Sequence, residues 1–102
     1  MKIKAGVQVG GIQPEMTLAL MTIHGILMKH GQELVITSCT DSQHSSKSRH
    51  YIGYGLDLRS RDVPEADREL VVQEMRDALG AEYYVAFEVH HFHIQFNGSP
   101  RV

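Results

Sequence analysis

Two short stretches of the chain concentrate side chains that bind metals or move protons. The first is Ser48-Arg49-His50-Tyr51-Ile52-Gly53-Tyr54-Gly55-Leu56-Asp57, and the second is Glu88-Val89-His90-His91-Phe92-His93-Ile94-Gln95-Phe96. In an extended strand alternate side chains share a face, so His91, His93 and Gln95 point one way and His90, Phe92 and Ile94 the other. A His-x-His pair on a strand therefore aims two imidazoles at one place. The same alternation sets Tyr54, Leu56 and Leu58 on one face of the earlier segment and Gly55 and Asp57 on the opposite one. His50 and Asp57 can meet if the chain turns at Gly53. Imidazole and carboxylate are zinc ligands, and three protein ligands leave a fourth corner for water, as in catalytic rather than closed structural sites. Zinc suits two nitrogens and an oxygen best, although affinity alone admits other divalent metals. Strand histidines are often plain surface or core residues. It is the joint occurrence of His50, Asp57 and the His91/His93 pair that points to a metal.

The elements that must position these groups can be read from hydrophobic spacing. Residues 1–12, with Gly6, Gly10 and Gly11, read as an irregular arm. Pro14 and Glu15 suit the first turn of a helix. Met16, Leu20, Ile23 and Leu27 mark its apolar face, and Lys29, His30 and Gly31 its end. Leu18, Met21, Ile26 and Met28 add apolar residues on other faces, which predicts a helix buried on most sides, with its methionines in the core. Leu34 to Ser38 reads as a buried strand and Cys39 to Arg49 as a polar loop. Tyr54 to Leu58 reads as a strand and Pro64 to Leu79 as a second helix with a core face of Val71, Val72, Met75 and Leu79. Tyr83 to Phe96 is strand-like, either two strands or one bent strand. The expected class is α+β, a small, mainly antiparallel sheet with two helices packed on it.

Composition sets the outer bounds. The chain has 102 residues, suited to one domain over residues 1–102, and 10 Lys+Arg against 12 Asp+Glu give a net charge of −2. That balance argues against a nucleic-acid binder held by phosphate contacts. No apolar run approaches the ~18 residues of a membrane helix. The first residues lack the apolar core of a signal peptide, so synthesis in the cytoplasm is expected. Cys39 is the single cysteine, which rules out an internal disulfide framework. It reads as a buried residue at a strand end rather than a nucleophile beside His44. His24 reads as a packing residue. The aromatic group Tyr83, Tyr84, Phe87 and Phe92 is expected to pack the helices on the sheet, and Tyr51 and Tyr54 to border a groove.

Ser48-x-His50-x-x-Gly53-x-Gly55-x-Asp57 followed by His91-x-His93 resembles the S-x-H-x-x-G-x-A-x-D … H-x-H signature of the zinc D-Ala-D-Ala carboxypeptidases and L-alanyl-D-glutamate endopeptidases. These belong to the group named for lysostaphin, the D-Ala-D-Ala metallopeptidases and sonic hedgehog. The compact chain is similar to the short phage and prophage members, and the order of elements fits along most of its length. The resemblance implies a hedgehog-like peptidase fold and a zinc ion held by His50, Asp57 and His93. It also implies that His91 lines the site and that Ser48 supports it near His50. The substrate it implies is the stem peptide of peptidoglycan. Lys47 and Arg49 are the cations near the place where the family often has an arginine for the oxyanion.

The sequence departs from the family at two positions. Gly55 stands where the family usually has Ala. His90 stands three residues before His93, where many members carry an acidic general base. Either His90 moves the proton itself, or Glu88 does. In an alternative register Glu88-x-x-His91 supplies the base and the ligand; His93 is preferred as ligand because His-x-His followed by Ile94-Gln95-Phe96 matches the short members. Two function classes follow. One is a zinc peptidase, in which the metal lowers the pKa of its water towards ~7 and polarises the scissile carbonyl. The other is a zinc-binding structural or interaction protein that has lost the base. A metal-free fold with accidental histidines is the third possibility.

Overall fold

The computed structural model describes residues 1–40, 53–88 and 90–98. The elements in chain order are β1 (Lys2–Ile3), α1 (Pro14–Lys29), β2 (Val35–Ser38), β3 (Gly55–Arg59), α2 (Glu65–Leu79), β4 (Tyr83–Glu88) and β5 (His91–Phe96). The strands form one sheet of 5 strands in the order β1-β2-β3-β5-β4. β1 runs parallel to β2, and the other neighbours are antiparallel. The α+β class expected from the sequence is what the chain adopts. Among the described residues no helix is long and apolar enough to cross a membrane.

α1 begins with Pro14 in its first turn, where a missing N–H costs nothing, and Glu15 beside the positive end of the helix dipole. Its C-terminus is closed by a Schellman motif. Gly31, at φ 71°, donates to the Met28 carbonyl, and Gln32 donates to that of Leu27. α2 carries Glu65 and Asp67 in its first turn, with Pro64 at the N-cap rather than inside the helix. The C-terminal end of α1 is tied to α2 by Glu74, whose carboxylate accepts from His30 Nε2 at 2.7 Å and pairs with Lys29 Nζ at 3.1 Å. These partners, His30 foremost, hold the Glu74 carboxyl below the usual carboxylate range.

The core lies between the helices and one face of the sheet. Met16, Ile23 and Leu27 of α1 and Val71, Val72 and Met75 of α2 meet Ile36, Leu56, Leu58, Val85, Phe92 and Ile94 from the strands. Every one of these strand residues falls on the face opposite Asp57, as alternation requires. Three sequence expectations need correction here. Residues 1–12 are not wholly irregular, because Lys2 and Ile3 pair with Val35 and Ile36 as an edge strand. α1 is not buried on most sides: Leu18, Met21 and Met28 are 63%, 65% and 61% exposed. Among the described residues the helices form a single layer on the sheet with nothing packed on their outward faces, and only Met16 of the α1 methionines enters the core. Tyr54, expected to border a groove, is buried in the core cluster instead. Its ring lies 5.6 Å from that of Phe96, which also meets Tyr83 edge-on at 5.2 Å. Cys39 is buried, as expected for a strand-end packing residue.

Gly53 has a requirement of its own. It sits at φ 83°, a left-handed conformation, and a Cβ there would run into the Gly11 carbonyl. Its own carbonyl accepts from Gln13 N–H at 3.1 Å, which fixes the entry into α1. The obstructing atoms, the Gly11 carbonyl and the Ile12 Cα, are backbone and cannot swing aside. Gly53→Ala is therefore expected to destabilise the fold by at least the ~1–3 kcal/mol of a strained residue, read as a lower urea midpoint at unchanged slope. A midpoint equal to that of the parent protein would show that this turn is not under steric constraint.

Candidate metal-binding face

The sheet face turned away from the helices carries the groups singled out by sequence. Strand register sets them in rows. Asp57 on β3 is opposite His93 on β5, which is opposite Ala86 on β4. The next row is Arg59, His91 and Glu88, and the row on the other side is Gly55, Gln95 and Tyr84. Gly55 and Ala86, the smallest members, leave room beside the two histidines. Tyr84 lies here, its ring 6.0 Å from that of His93. It therefore does not pack the helices on the sheet, contrary to the sequence expectation. Phe87 does face α2, under the Arg68 guanidinium at 5.1 Å and edge-on to Phe92 at 5.9 Å.

The side chains converge on one carboxylate oxygen. Asp57 Oδ1 lies 2.9 Å from His93 Nδ1 and 3.4 Å from His91 Nε2. On its other side His93 Nε2 is 3.1 Å from Gln95 Oε1, and the Gln95 amide nitrogen donates to Asn97 Oδ1 at 2.6 Å. That last bond turns the Gln95 oxygen toward the imidazole. Both ring nitrogens of His93 thus face acceptors, which suits the doubly protonated ring. Its pKa is accordingly raised above the ordinary histidine value. The Asp57 hydrogen bond is the chief cause, working against burial, with help from Gln95 and the negative charge of Glu88. In the metal-free protein this pair stabilises the fold fully below the unfolded histidine value of ~6.5 and ceases to do so as pH rises through the raised value.

The two candidate bases are placed differently. Glu88 shares the row of His91 and acts on His93 through its charge. His90 lies in the turn between β4 and β5, where its carbonyl accepts from the buried Ser60 hydroxyl at 2.7 Å. It lines a cavity with Lys4, Thr37, Arg59 and Arg61. Ser48, Arg49 and His50, along with His44, Lys47 and Tyr51, lie outside the described residues. Among the described residues no group of three His, Cys, Asp or Glu side chains is arranged to hold a metal ion.

Gln95 and Ser60 are the contributors that sequence reasoning did not assign. Gln95 was legible, being two residues beyond His93 on the same strand face. Ser60 gave no signal, because its partner is a backbone carbonyl 30 residues away in sequence.

Comparison of the chain with known protein families, with curated proteins and with solved structures finds no match.

Proposed function

We propose that this face belongs to a small zinc peptidase of the D-Ala-D-Ala metallopeptidase and hedgehog-like kind, acting on amide bonds in peptidoglycan stem peptides. The observation that carries the reading is the approach of His93 Nδ1 to Asp57 Oδ1 at 2.9 Å. Metal–ligand bonds of ~2.0–2.2 Å in a tetrahedron set neighbouring donor atoms ~3.3 Å apart. The pair thus needs to open by only a few tenths of an ångström to share an ion. In this reading His50, Asp57 and His93 would hold zinc, which when bound supplies an activated water and a polarised carbonyl.

The roles of the chain's own residues follow from position. Asp57, 8% exposed, is a carboxylate already turned toward two imidazoles. Gln95 orients the His93 ring through Nε2 and leaves Nδ1 directed at Asp57. A hydrogen bond to the far nitrogen of a ligating imidazole is the usual device for fixing its orientation. His91, beside the pair, is placed to hydrogen-bond substrate. Glu88, in the same row, is the candidate base on this face.

A second reading is a zinc-binding structural or interaction protein of the same fold. It is favoured by His90, which stands at the family's acidic position and faces the cavity near Arg59 and Arg61. Metal analysis together with digestion of cell walls, with and without chelator, separates the two. One zinc per chain and release of new amino groups only with metal are expected. Bound zinc without cleavage supports the structural reading, and absence of zinc removes both.

Zinc binding should also depend on pH in a stated direction. The ion takes the place of a proton on His93 Nδ1, and that proton is held more firmly than in an ordinary histidine. Affinity is therefore expected to rise from pH 6 to pH 8, at up to ~10-fold per pH unit for each proton displaced. Isothermal titration in buffers of different ionisation enthalpy reads the proton directly. Affinity independent of pH over that range would contradict ligation through His93.

A further inference from the structure

α1 and α2 share one layer, yet only α2 has an outward face suited to water. Glu65, Asp67, Glu69, Arg76 and Asp77 stand exposed along it. On α1 the exposed stripe is Thr17, Leu18, Met21, Gly25 and Met28, and from Met16 to Met28 the helix carries no Asp, Glu, Lys or Arg. At ~100° per residue these five positions fall within ~100° of one another, the width of a face that a surface helix normally buries. Among the described residues nothing packs on it.

The charges at the two ends of this stripe decide what fits it. Glu15 lies in the first turn and Lys29 in the last. At ~1.5 Å and ~100° per residue, Lys29 stands ~21 Å along the axis from Glu15 and only ~40° around it. One edge of the stripe therefore begins with an acid and ends with a base. Lys29 reaches Glu74 at 3.1 Å, and its side chain is still 71% exposed. A two-fold axis through the middle of the helix and perpendicular to it sets a second α1 antiparallel on the first. Lys29 then lies beside the partner's Glu15 at both ends, and the two helix dipoles oppose. The same operation sets Leu18 over the partner's Gly25, Met28 over the partner's Thr17, and Met21 beside the partner's Met21 at the axis. Large side chains thus meet small ones. Gly25 has open space where a Cβ would stand, which is the gap that a ridge from a facing helix fills. A parallel pair would bring like ends together. A lipid surface matches less well, because the stripe lacks the Lys- and Arg-rich flanks of membrane-bound helices.

We propose that the outward face of α1 is the interface of a two-fold homodimer, in which the α1 of a second copy of this chain lies antiparallel on it. The histidine face is on the other side of the sheet, so the pairing leaves it open in both copies and does not depend on the function assigned there.

Sedimentation equilibrium of the full chain tests the pairing. A weak dimer is expected, populated at ~100 µM chain, as suits a small interface. Met21→Glu sets two like charges at the axis and should raise the dissociation constant at least ~10-fold, with circular dichroism unchanged. Gly25→Leu should act in two opposite directions. It fills the gap needed by the partner's Leu18 and weakens the dimer at least ~10-fold, the scale of overpacking a tight contact. It also raises the melting temperature of the dilute monomer, because Leu is the better helix former. Orientation is read by crosslinking under a mild thiol oxidant. Met21→Cys should form an intermolecular disulfide at least ~10-fold faster than Met28→Cys, whose two copies are held too far apart to bridge. A chain that remains monomeric at ~1 mM, the weakest affinity of interest, overturns the proposal. So does Gly25→Leu associating as tightly as the parent protein, or Met28→Cys crosslinking as fast as Met21→Cys. Binding of a monomer to phosphatidylcholine–phosphatidylglycerol vesicles, lost in Met21→Glu, would give the face to lipid and overturn it as well.

Discussion

Replacing His93 by Ala is expected to abolish stoichiometric zinc and, with it, all metal-dependent amide hydrolysis. The loss in zinc affinity should exceed the ~10–100-fold typical of removing a residue that merely supports a ligand. His93 is in direct hydrogen-bond contact with Asp57 at 2.9 Å, nearer to that oxygen than His91 at 3.4 Å. His91→Ala should behave differently, keeping one zinc per chain and losing turnover, because His91 Nε2 sits farther off at 3.4 Å. Retained zinc in His93→Ala together with its loss in His91→Ala would move the ligand to His91 and make Glu88 its base. The two variants must therefore be compared side by side, by metal analysis after dialysis against a weak chelator.

Phe92→Ala should give the largest loss of stability. Phe92 is fully buried between the histidines in sequence and faces the helices, opposite Leu58 across the sheet. Removing a buried Phe side chain costs ~3–5 kcal/mol, against a total of ~5–15 kcal/mol for a domain of this kind. The melting temperature of the metal-free protein should fall by more than ~12 °C at ~4–8 °C per kcal/mol. The same strand presents His91 and His93 on its other face, so weakened packing behind β5 should also lower zinc affinity. A loss below ~1 kcal/mol would show that β5 is held by its ladder to β3 and β4 rather than by the core.

Alternation along β3 and β5 made much of this legible before any coordinates. It placed Asp57, His91 and His93 on one side and Leu56, Leu58, Phe92 and Ile94 on the other, and the structure has each of them there. Helix ends were legible as well, since Pro14, Glu15 and Gly31 act locally. What sequence could not supply was the number of layers. Leu18, Met21 and Met28 look like core residues by type, yet their burial depends on whether a second layer covers α1, and none does among the described residues. The β1 strand was hidden for a similar reason. Its Lys2 and Ile3 gain strand character only from the edge of β2. Tyr84 read as helix-packing because its neighbours Tyr83 and Phe87 are, although alternation alone would have sent it to the histidine face. The basic cavity was not foreseen, because Lys4, Thr37, Arg59, Arg61 and His90 come together only when β1, β2, β3 and the β4–β5 turn are assembled.

Crystals grown with zinc and measured above and below its absorption edge test the metal centre most directly. A single anomalous peak is expected within ~2.0–2.2 Å of Asp57 and His93, with His50 as the third protein ligand and one corner taken by water. A peak elsewhere, or none at the Asp57–His93 pair in protein shown to be folded, would contradict it.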